Sequence, residues 1–165
     1  MSPQLTAEFE YLTTRLEGMI EKVSNLPTDA QESPVGKSFS PVQAIEHMYV
    51  TEKSYTDYAK KTDQAKLKGR KGKPNFIYNF VLKGMNRPVG SNLPTPGMFQ
   101  PKDGLSLEES SQKWRDERAS LMEYLKKFND NDACLKNPLM GWFSPRDLYV
   151  LMERHQDYHD ARLPN

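Results

Sequence analysis

Cysteine is almost absent from this 165-residue chain, in which Cys134 is the only one. A single thiol excludes an intrachain disulfide framework and is typical of proteins from a reducing compartment. Cys134 lies in a turn-rich stretch with no histidine near it in sequence, so we expect a packed side chain rather than a nucleophile. We therefore expect a cytoplasmic protein.

Long hydrophobic runs and a charge of one sign are also missing. No apolar run approaches the ~18 residues that a bilayer crossing needs. The start of the chain, MSPQLTAEFEYLTTRL, lacks the basic and apolar regions of a secretory signal. The formal net charge is only +1, so the chain as a whole is not attracted to nucleic acids or anionic lipids. We expect no membrane association.

One basic segment is an exception to this charge balance. Residues 60–73, KKTDQAKLKGRKGK, hold seven lysines and arginines against a single acid, Asp63. Such a patch can contact phosphates, but it contains no aromatic residue to stack on bases, and basic loops are more often simply solvated. We therefore do not expect nucleic acid as a partner.

What remains is the composition of one globular domain. Hydrophobic residues make up 36% of the chain and charged residues 27%, and the length is enough to bury one core. We expect a single domain over residues 1–165. Four segments repeat apolar residues with a helical period, and none of any length alternates as a strand does.

The first two predicted helices differ in the signal that identifies them. In the first, six apolar residues are spaced by three or four positions, as in a helix packed in a bundle: Leu5, Phe9, Leu12, Leu16, Met19 and Val23. The second follows Ser40, a good N-cap, with Pro41 at the first helical position and Gln43 completing a capping box. It is predicted to run from Pro41 to about Lys61.

The third and fourth predicted helices have similar starts. Ser106 and Glu109 form a capping box, and the third helix is predicted to end near Phe128. Ser144 caps the fourth helix, which begins with Phe-Ser-Pro as the second helix does at residues 39–41 and is predicted to end near Ala161.

The spacing of these helices predicts their arrangement. About 44 residues separate the second from the third helix, whereas the other connections have about 15. A crossover that long favours an all-α, four-helix bundle with up-down-down-up topology. Within the crossover, NFIYNFVLKGM is predicted to be a short helix, and RPVGSNLPTPGMFQP an irregular strap over one end of the bundle.

Histidine is scarce as well, and its placement is the main functional signal. Two of only three histidines, His155 and His159, are four residues apart on the apolar face of the fourth helix, where two imidazoles can converge on one ion. His47 lies two turns into the second helix, and an antiparallel arrangement brings it level with this pair. The three are predicted to bind a divalent metal ion, with a hydrogen-bonded histidine–tyrosine core as the alternative.

Three neutral imidazoles would leave a divalent ion with its full charge and an open position, as in catalytic sites. Such an ion lowers the pKa of a bound water or thiol. Nitrogen ligands suit several ions, and we expect zinc or nickel, with iron, manganese or copper as alternatives. Gln156 stands where H-E-x-x-H enzymes carry a glutamate base, so the sequence is not that of a zincin and no catalytic base is assigned.

Two arginines are the weaker candidates, for substrate binding. Arg162 lies seven residues after His155 on nearly the same helical face and could bind an anionic group. A solvated cation that stabilises the helix end explains it equally well. Arg118 flanks the apolar stripe of the third helix.

Several segments together resemble the DinB-like superfamily, a damage-inducible helical group. They are the helix start FSPVQAIEHM, the Pro/Gly-rich NLPTPGMFQP, and NPLMGWFSPRDLYVLMERHQDYH at the last helix. The resemblance implies a four-helix bundle with a long middle crossover and a divalent metal held by His47, His155 and His159. It also implies a homodimer. One departure is that Asp160, Ala161 and Arg162 stand where a glutamine often follows the last histidine.

Characterised members of that superfamily include metal-dependent thiol transferases that use bacillithiol or mycothiol, and a maleylpyruvate isomerase. The resemblance therefore implies a metal-dependent hydrolase or thiol S-transferase acting on a small molecule. A thiol cosubstrate would be external and of low molecular weight, because Cys134 is poorly placed in sequence to take this role. The alternative is a non-catalytic bundle that binds metal or a partner in a stress response, since no general base is evident beside the histidines.

Overall fold

Helices dominate the structure, a computed structural model that describes residues 1–36, 38–89, 94–101 and 104–164. In chain order the helices are α1 (Pro3–Ser24), α2 (Thr28–Glu32), α3 (Pro41–Lys61), α4 (Phe76–Met85), α5 (Leu107–Leu125) and α6 (Pro145–Asp160). The four long ones, α1, α3, α5 and α6, bury their apolar faces against one another. The prediction of a mostly helical fold is confirmed in this general form.

The serine caps fix where three of these helices begin. Ser40, Ser106 and Ser144 each accept a hydrogen bond from the backbone N–H three residues later, and the side chain at that position bonds back to the serine. Each capping residue contributes roughly 1 kcal/mol. The predicted end of α5 near Phe128 is wrong by three residues, because Phe128 closes a tight turn by donating to the carbonyl of Leu125.

A small antiparallel sheet is the part of the fold that the sequence did not predict. Its strands are β1 (Lys73–Pro74), β2 (Leu135–Asn137) and β3 (Gly141–Phe143), with β3 in the centre. Strands of two or three residues are too short to display an alternating pattern. The sheet adds to the all-α class expected from the sequence, and it attaches the crossover to the chain just before α6.

The predicted short helix in the crossover is confirmed as α4, and it is anchored at both ends to α6. Near its start, the Tyr78 hydroxyl donates to the carbonyl of Asp147 at 2.9 Å. Just beyond its end, Arg162 donates to the carbonyls of Arg87 and Pro88 at 3.0 and 3.1 Å. Because the start of α4 lies beside the start of α6, and its end beside the end of α6, α4 lies along α6 and runs in the same direction.

The predicted strap falls partly outside the described residues, which omit positions 90–93. Its second half contains a single 3₁₀ turn at Gly97–Phe99. Proline residues at 94, 96 and 101 keep this half from forming a longer helix. The turn is nevertheless fixed to the bundle, because Phe99 bonds to a side chain of α3.

Cys134 is a buried, packed side chain, as predicted. Its thiol donates to the carbonyl of Phe143 at 3.2 Å, and burial raises the pKa of the thiol far above its ordinary value. Because the thiolate is the reactive form, we predict that Ellman's reagent modifies the native protein at least about 100-fold more slowly than the urea-unfolded protein. Glutathione under both conditions is the control. Equal rates would show that this segment opens readily.

The basic segment of residues 60–73 is partly paired with neighbouring groups. Lys71 lies 2.5 Å from Asp132, and the guanidinium of Arg70 lies 4.4 Å from the centre of the Trp142 ring. The absence of a nucleic-acid partner stays a prediction. Within the ranges that the structure describes, no helix has both the length and the apolar character needed to cross a bilayer.

Candidate metal centre

Three histidine side chains meet between α3 and α6. His47 lies in the second turn of α3, and His155 and His159 are one turn apart near the end of α6. The caps at Ser40 and Ser144 fix the start of each helix, and the inward stripes of apolar residues set the rotation that turns these rings into the core. All three are buried. The predicted meeting of the rings is confirmed.

The three Nε2 atoms form a compact group. His155 Nε2 lies 3.0 Å from His47 Nε2 and 3.1 Å from His159 Nε2. Around a tetrahedral zinc ion with Zn–N bonds of about 2.0–2.1 Å, ligand nitrogens are about 3.4 Å apart. Shifts of a few tenths of an ångström would therefore let all three nitrogens bind one ion, so the residues present fit a metal.

A backbone carbonyl sets the tautomer of His47. Its Nδ1 lies 2.6 Å from the carbonyl oxygen of Phe99, which can only accept, so Nδ1 carries the proton and Nε2 presents a lone pair. His155 Nε2 has at most one proton, and it cannot make a separate hydrogen bond to each of its two neighbours. If all three rings are neutral, one of these two nitrogen–nitrogen contacts therefore has no proton between its atoms. A cation bound by the three nitrogens would remove this unfavourable contact.

Burial keeps these imidazoles neutral. It lowers the pKa of His47 to about 4, although the bond to the Phe99 carbonyl opposes the shift. Burial likewise lowers the pKa of His155 and of His159 well below the ordinary value. A metal ligand must offer a deprotonated nitrogen, so at neutral pH this site needs to release no protons in order to bind a cation.

Comparison with known families supports the resemblance seen in the sequence. The sequence model of the DinB superfamily matches residues 5–163, nearly the whole chain. The chain belongs to the DinB superfamily. No curated protein and no solved structure matches it.

In this DinB superfamily member the histidines line a large cavity. Its volume is about 820 Å³, within the range of sites that bind small molecules. Phe39 packs close to the cluster, with ring centres 5.1 Å from His47 and 6.3 Å from His159. No carboxylate is among the described residues that line the cavity. Among the described lining residues, therefore, no acidic side chain is placed to act as a general base.

The two arginines predicted as substrate-binding residues lie in different environments. Arg162 lines the cavity, with its guanidinium carbon 3.5 Å from the centre of the Tyr158 ring. Its role in substrate binding stays a prediction. Arg118 lies within the apolar core, with only 1% of its surface exposed, and does not line the cavity. Arg118 lies on the apolar stripe of α5 rather than beside it, and its charge is buried against an acid. Its role in substrate binding also stays a prediction.

That acid is Glu52 of α3, which the sequence analysis missed. Arg118 Nε and Nη2 donate to the two carboxylate oxygens at 2.8 and 2.5 Å, and Trp114 Nε1 donates to one of them at 2.8 Å. Gln156, the residue after His155, accepts a long bond of 3.5 Å from Arg118. This buried cluster joins α3, α5 and α6 next to the histidines and helps to hold the two histidine-bearing helices in register.

Thr51 presents a different kind of buried polar group. It lies one turn after His47, and its hydroxyl is buried without a hydrogen-bond partner in the described part of the chain. An unpaired buried hydroxyl costs roughly 1–3 kcal/mol. We predict that Thr51→Val raises the free energy of unfolding in urea by about 1 kcal/mol and leaves metal content unchanged.

Thr62→Val is the matched control for this prediction. The Thr62 hydroxyl donates to the carbonyl of Tyr58 at 2.7 Å and accepts from the backbone N–H of Lys136 at 3.0 Å. The same substitution should therefore lower the free energy of unfolding there, by about 1–2 kcal/mol. Equal effects at the two positions would contradict the assignment of the Thr51 hydroxyl as unpaired.

Proposed function

We propose that this protein binds a divalent metal ion through His47, His155 and His159 and acts as a metal-dependent enzyme on a small molecule. The supporting observation is the convergence of three neutral Nε2 atoms at the wall of a cavity of about 820 Å³. Structural sites are normally closed by four protein ligands, whereas catalytic sites have three and an open position. Within the described residues the candidate ligand group has three members.

Zinc or nickel is the proposed ion, with iron or manganese as alternatives. When bound, such an ion supplies Lewis acidity, which ionises a water or a thiol near neutral pH. The protein's own contribution is to present three neutral nitrogens, to orient His47 through the Phe99 carbonyl, and to enclose the reacting groups in a mainly apolar cavity.

The proposed reaction is a hydrolysis or the transfer of a thiol to a small electrophile. Cys134 cannot provide this thiol, because it is buried and is not among the residues that line the cavity. A low-molecular-weight thiol from solution is therefore the proposed cosubstrate. The family resemblance also supports a homodimer, and the single buried cysteine supports a cytoplasmic location.

A non-catalytic role in binding metal or a partner is the second candidate. It is favoured by the lack of a carboxylate in the described lining of the cavity, because no acidic side chain there would take a proton from a nucleophile. In this role the metal would be retained but no substrate would be turned over.

Activity of the metal-loaded protein separates these two functions. Protein loaded with zinc or nickel is assayed with ester and phosphoester substrates, and with 1-chloro-2,4-dinitrobenzene plus a low-molecular-weight thiol. His155→Ala is the control. Turnover that the metal-loaded protein shows and His155→Ala lacks would support the enzyme, whereas persistent inactivity with intact metal would support the binding role.

A further inference from the structure

The cavity has two kinds of wall. The histidines come from α3 and α6, whereas α4 contributes only apolar side chains: Ile77, Phe80, Val81 and Met85. Their spacing of three, four and eight residues from the first places them on one face of α4. The turn between β2 and β3 adds Leu139 and Met140. One side of the cavity is thus suited to a polar group and the other to an apolar one.

The apolar wall extends well beyond the histidines. The start of α4 is held beside Asp147 by Tyr78, and the Met140 carbonyl accepts from the backbone N–H of Asn75 at 2.8 Å. His155 lies eight residues after Asp147 along α6, or about 12 Å at 1.5 Å per residue. The lining side chains of α4 cover the same length, because Ile77 and Met85 are also eight residues apart, so the apolar wall runs about 12 Å along α4 toward the histidines.

Two large apolar side chains of this wall remain exposed. Phe80 is 64% exposed and Leu139 56% exposed, although both line the cavity. Burying apolar surface yields about 25 cal/mol per Å². A ligand that lies along α4 would gain this free energy by covering both the buried and the exposed apolar side chains of the wall. Its polar end would gain further binding free energy at the histidines.

We propose that the substrate is an amphipathic small molecule. Its short polar head ligates the ion at His47, His155 and His159, and its apolar portion of about eight to ten carbons lies along α4, a length that matches the 12 Å span. This inference rests on the proposed function for the position of the head group. The position of the apolar portion of the substrate is inferred from the apolar wall.

Two hydroxamic acids with the same head and different tails test this proposal. Acetohydroxamic acid and decanohydroxamic acid, the latter below its micelle concentration, are titrated into the cobalt(II)-loaded protein, with the visible absorption of cobalt as the readout. Each buried methylene is worth about fourfold in affinity, so the longer acid should bind at least about 100-fold more tightly even if only half of its tail is buried. A ratio below about fivefold would overturn the proposal.

Phe80→Ser and Phe76→Ser are a matched pair for locating the tail. Both phenylalanines are exposed on α4, but only Phe80 lines the cavity. Phe80→Ser should lower the affinity for decanohydroxamic acid by about fivefold or more and leave the affinity for acetohydroxamic acid unchanged. Phe76→Ser should change neither affinity. Equal losses in the two variants, together with a lower sedimentation coefficient, would identify this face as an interface between copies of the chain and overturn the proposal.

Failure of the proposed function gives a different result. If the protein takes up no cobalt, the metal-based function fails, and the apolar wall is then tested in metal-free protein with the fluorescent probe 8-anilinonaphthalene-1-sulfonate. Displacement of the probe by decanohydroxamic acid but not by acetohydroxamic acid would support the apolar substrate, and no displacement would overturn it. If cobalt-loaded protein binds both acids equally, the proposal of an apolar substrate is rejected, whereas the proposed metal-based function is not.

Discussion

Replacing His155 by alanine is expected to abolish metal binding. Its Nε2 is the central atom of the group, 3.0 Å from that of His47 and 3.1 Å from that of His159. Without it two imidazoles remain, and sites with two nitrogen ligands do not retain a divalent ion through dialysis as three-ligand sites do. Elemental analysis after loading and dialysis should find about one ion per chain in the parent protein and less than about 0.1 in the variant.

Thr51→Val is the control for this experiment, because Thr51 lines the same cavity on the next turn of α3 and its hydroxyl bonds to no described group. That variant should retain its ion. Circular dichroism shows whether each variant is folded. The stabilisation that excess zinc gives the parent protein should also be lost in His155→Ala. Unchanged metal content in a folded His155→Ala protein would reject the ligand assignment.

Replacing Arg118 by methionine is expected to lower the free energy of unfolding by about 3–5 kcal/mol. The substitution roughly preserves side-chain volume but removes both bonds to Glu52 and leaves a carboxylate that is only 1% exposed without its cation. Trp114 would still donate one hydrogen bond to it, which does not compensate a buried charge. Urea unfolding monitored by circular dichroism measures the loss.

The double variant Glu52→Gln with Arg118→Met separates charge from packing. A glutamine retains an acceptor for Trp114 and carries no charge, so the double variant should recover most of the stability that Arg118→Met loses. Equal instability of the single and double variants would attribute the loss to packing. A loss below about 1 kcal/mol in Arg118→Met would contradict a buried ion pair of structural importance.

The helices and the histidine cluster could be predicted because their signals are local. A serine followed three residues later by a side chain that bonds back to it specifies a helix start whatever lies around it, as at Ser40 and Ser106. His155 and His159 share a face because of helix periodicity alone. His47 needed one further assumption, an antiparallel partner helix; the meeting of the three rings is confirmed, whereas the up-down-down-up topology stays a prediction.

The buried ion pair can be recognised from the spacing of the core residues in the sequence. Glu52 continues the three-four spacing of the core residues of α3: Ile45, Met48, Tyr55 and Ala59. Arg118 does the same in α5 with Trp114, Leu121 and Leu125. A charged residue at a core position requires a partner of opposite charge. An acid and a base at such positions on two helices are therefore expected to form an ion pair if the helices are neighbours. The side chains alone, however, do not say which helices are adjacent.

Other features could not be predicted from residue types. β1, β2 and β3 exist because the crossover meets the chain before α6, and their few residues carry no alternation of their own. The partner of His47 is a backbone carbonyl, a group that every residue possesses, so Phe99 carries no sequence signature for this role. The apolar wall of the cavity likewise depends on where α4 lies relative to α6, which two side-chain-to-carbonyl contacts determine.

The hydrogen bond from His47 to the Phe99 carbonyl links the crossover to the affinity of the site for an ion. An ion on Nε2 makes the Nδ1–H a stronger donor, so it tightens the bond that holds the turn at Gly97–Phe99 against α3. The linkage is reciprocal, since closing this turn must raise ion affinity by the same factor by which the ion favours closure. Any change that pulls this turn away from α3 would therefore also weaken the binding of an ion at the histidines.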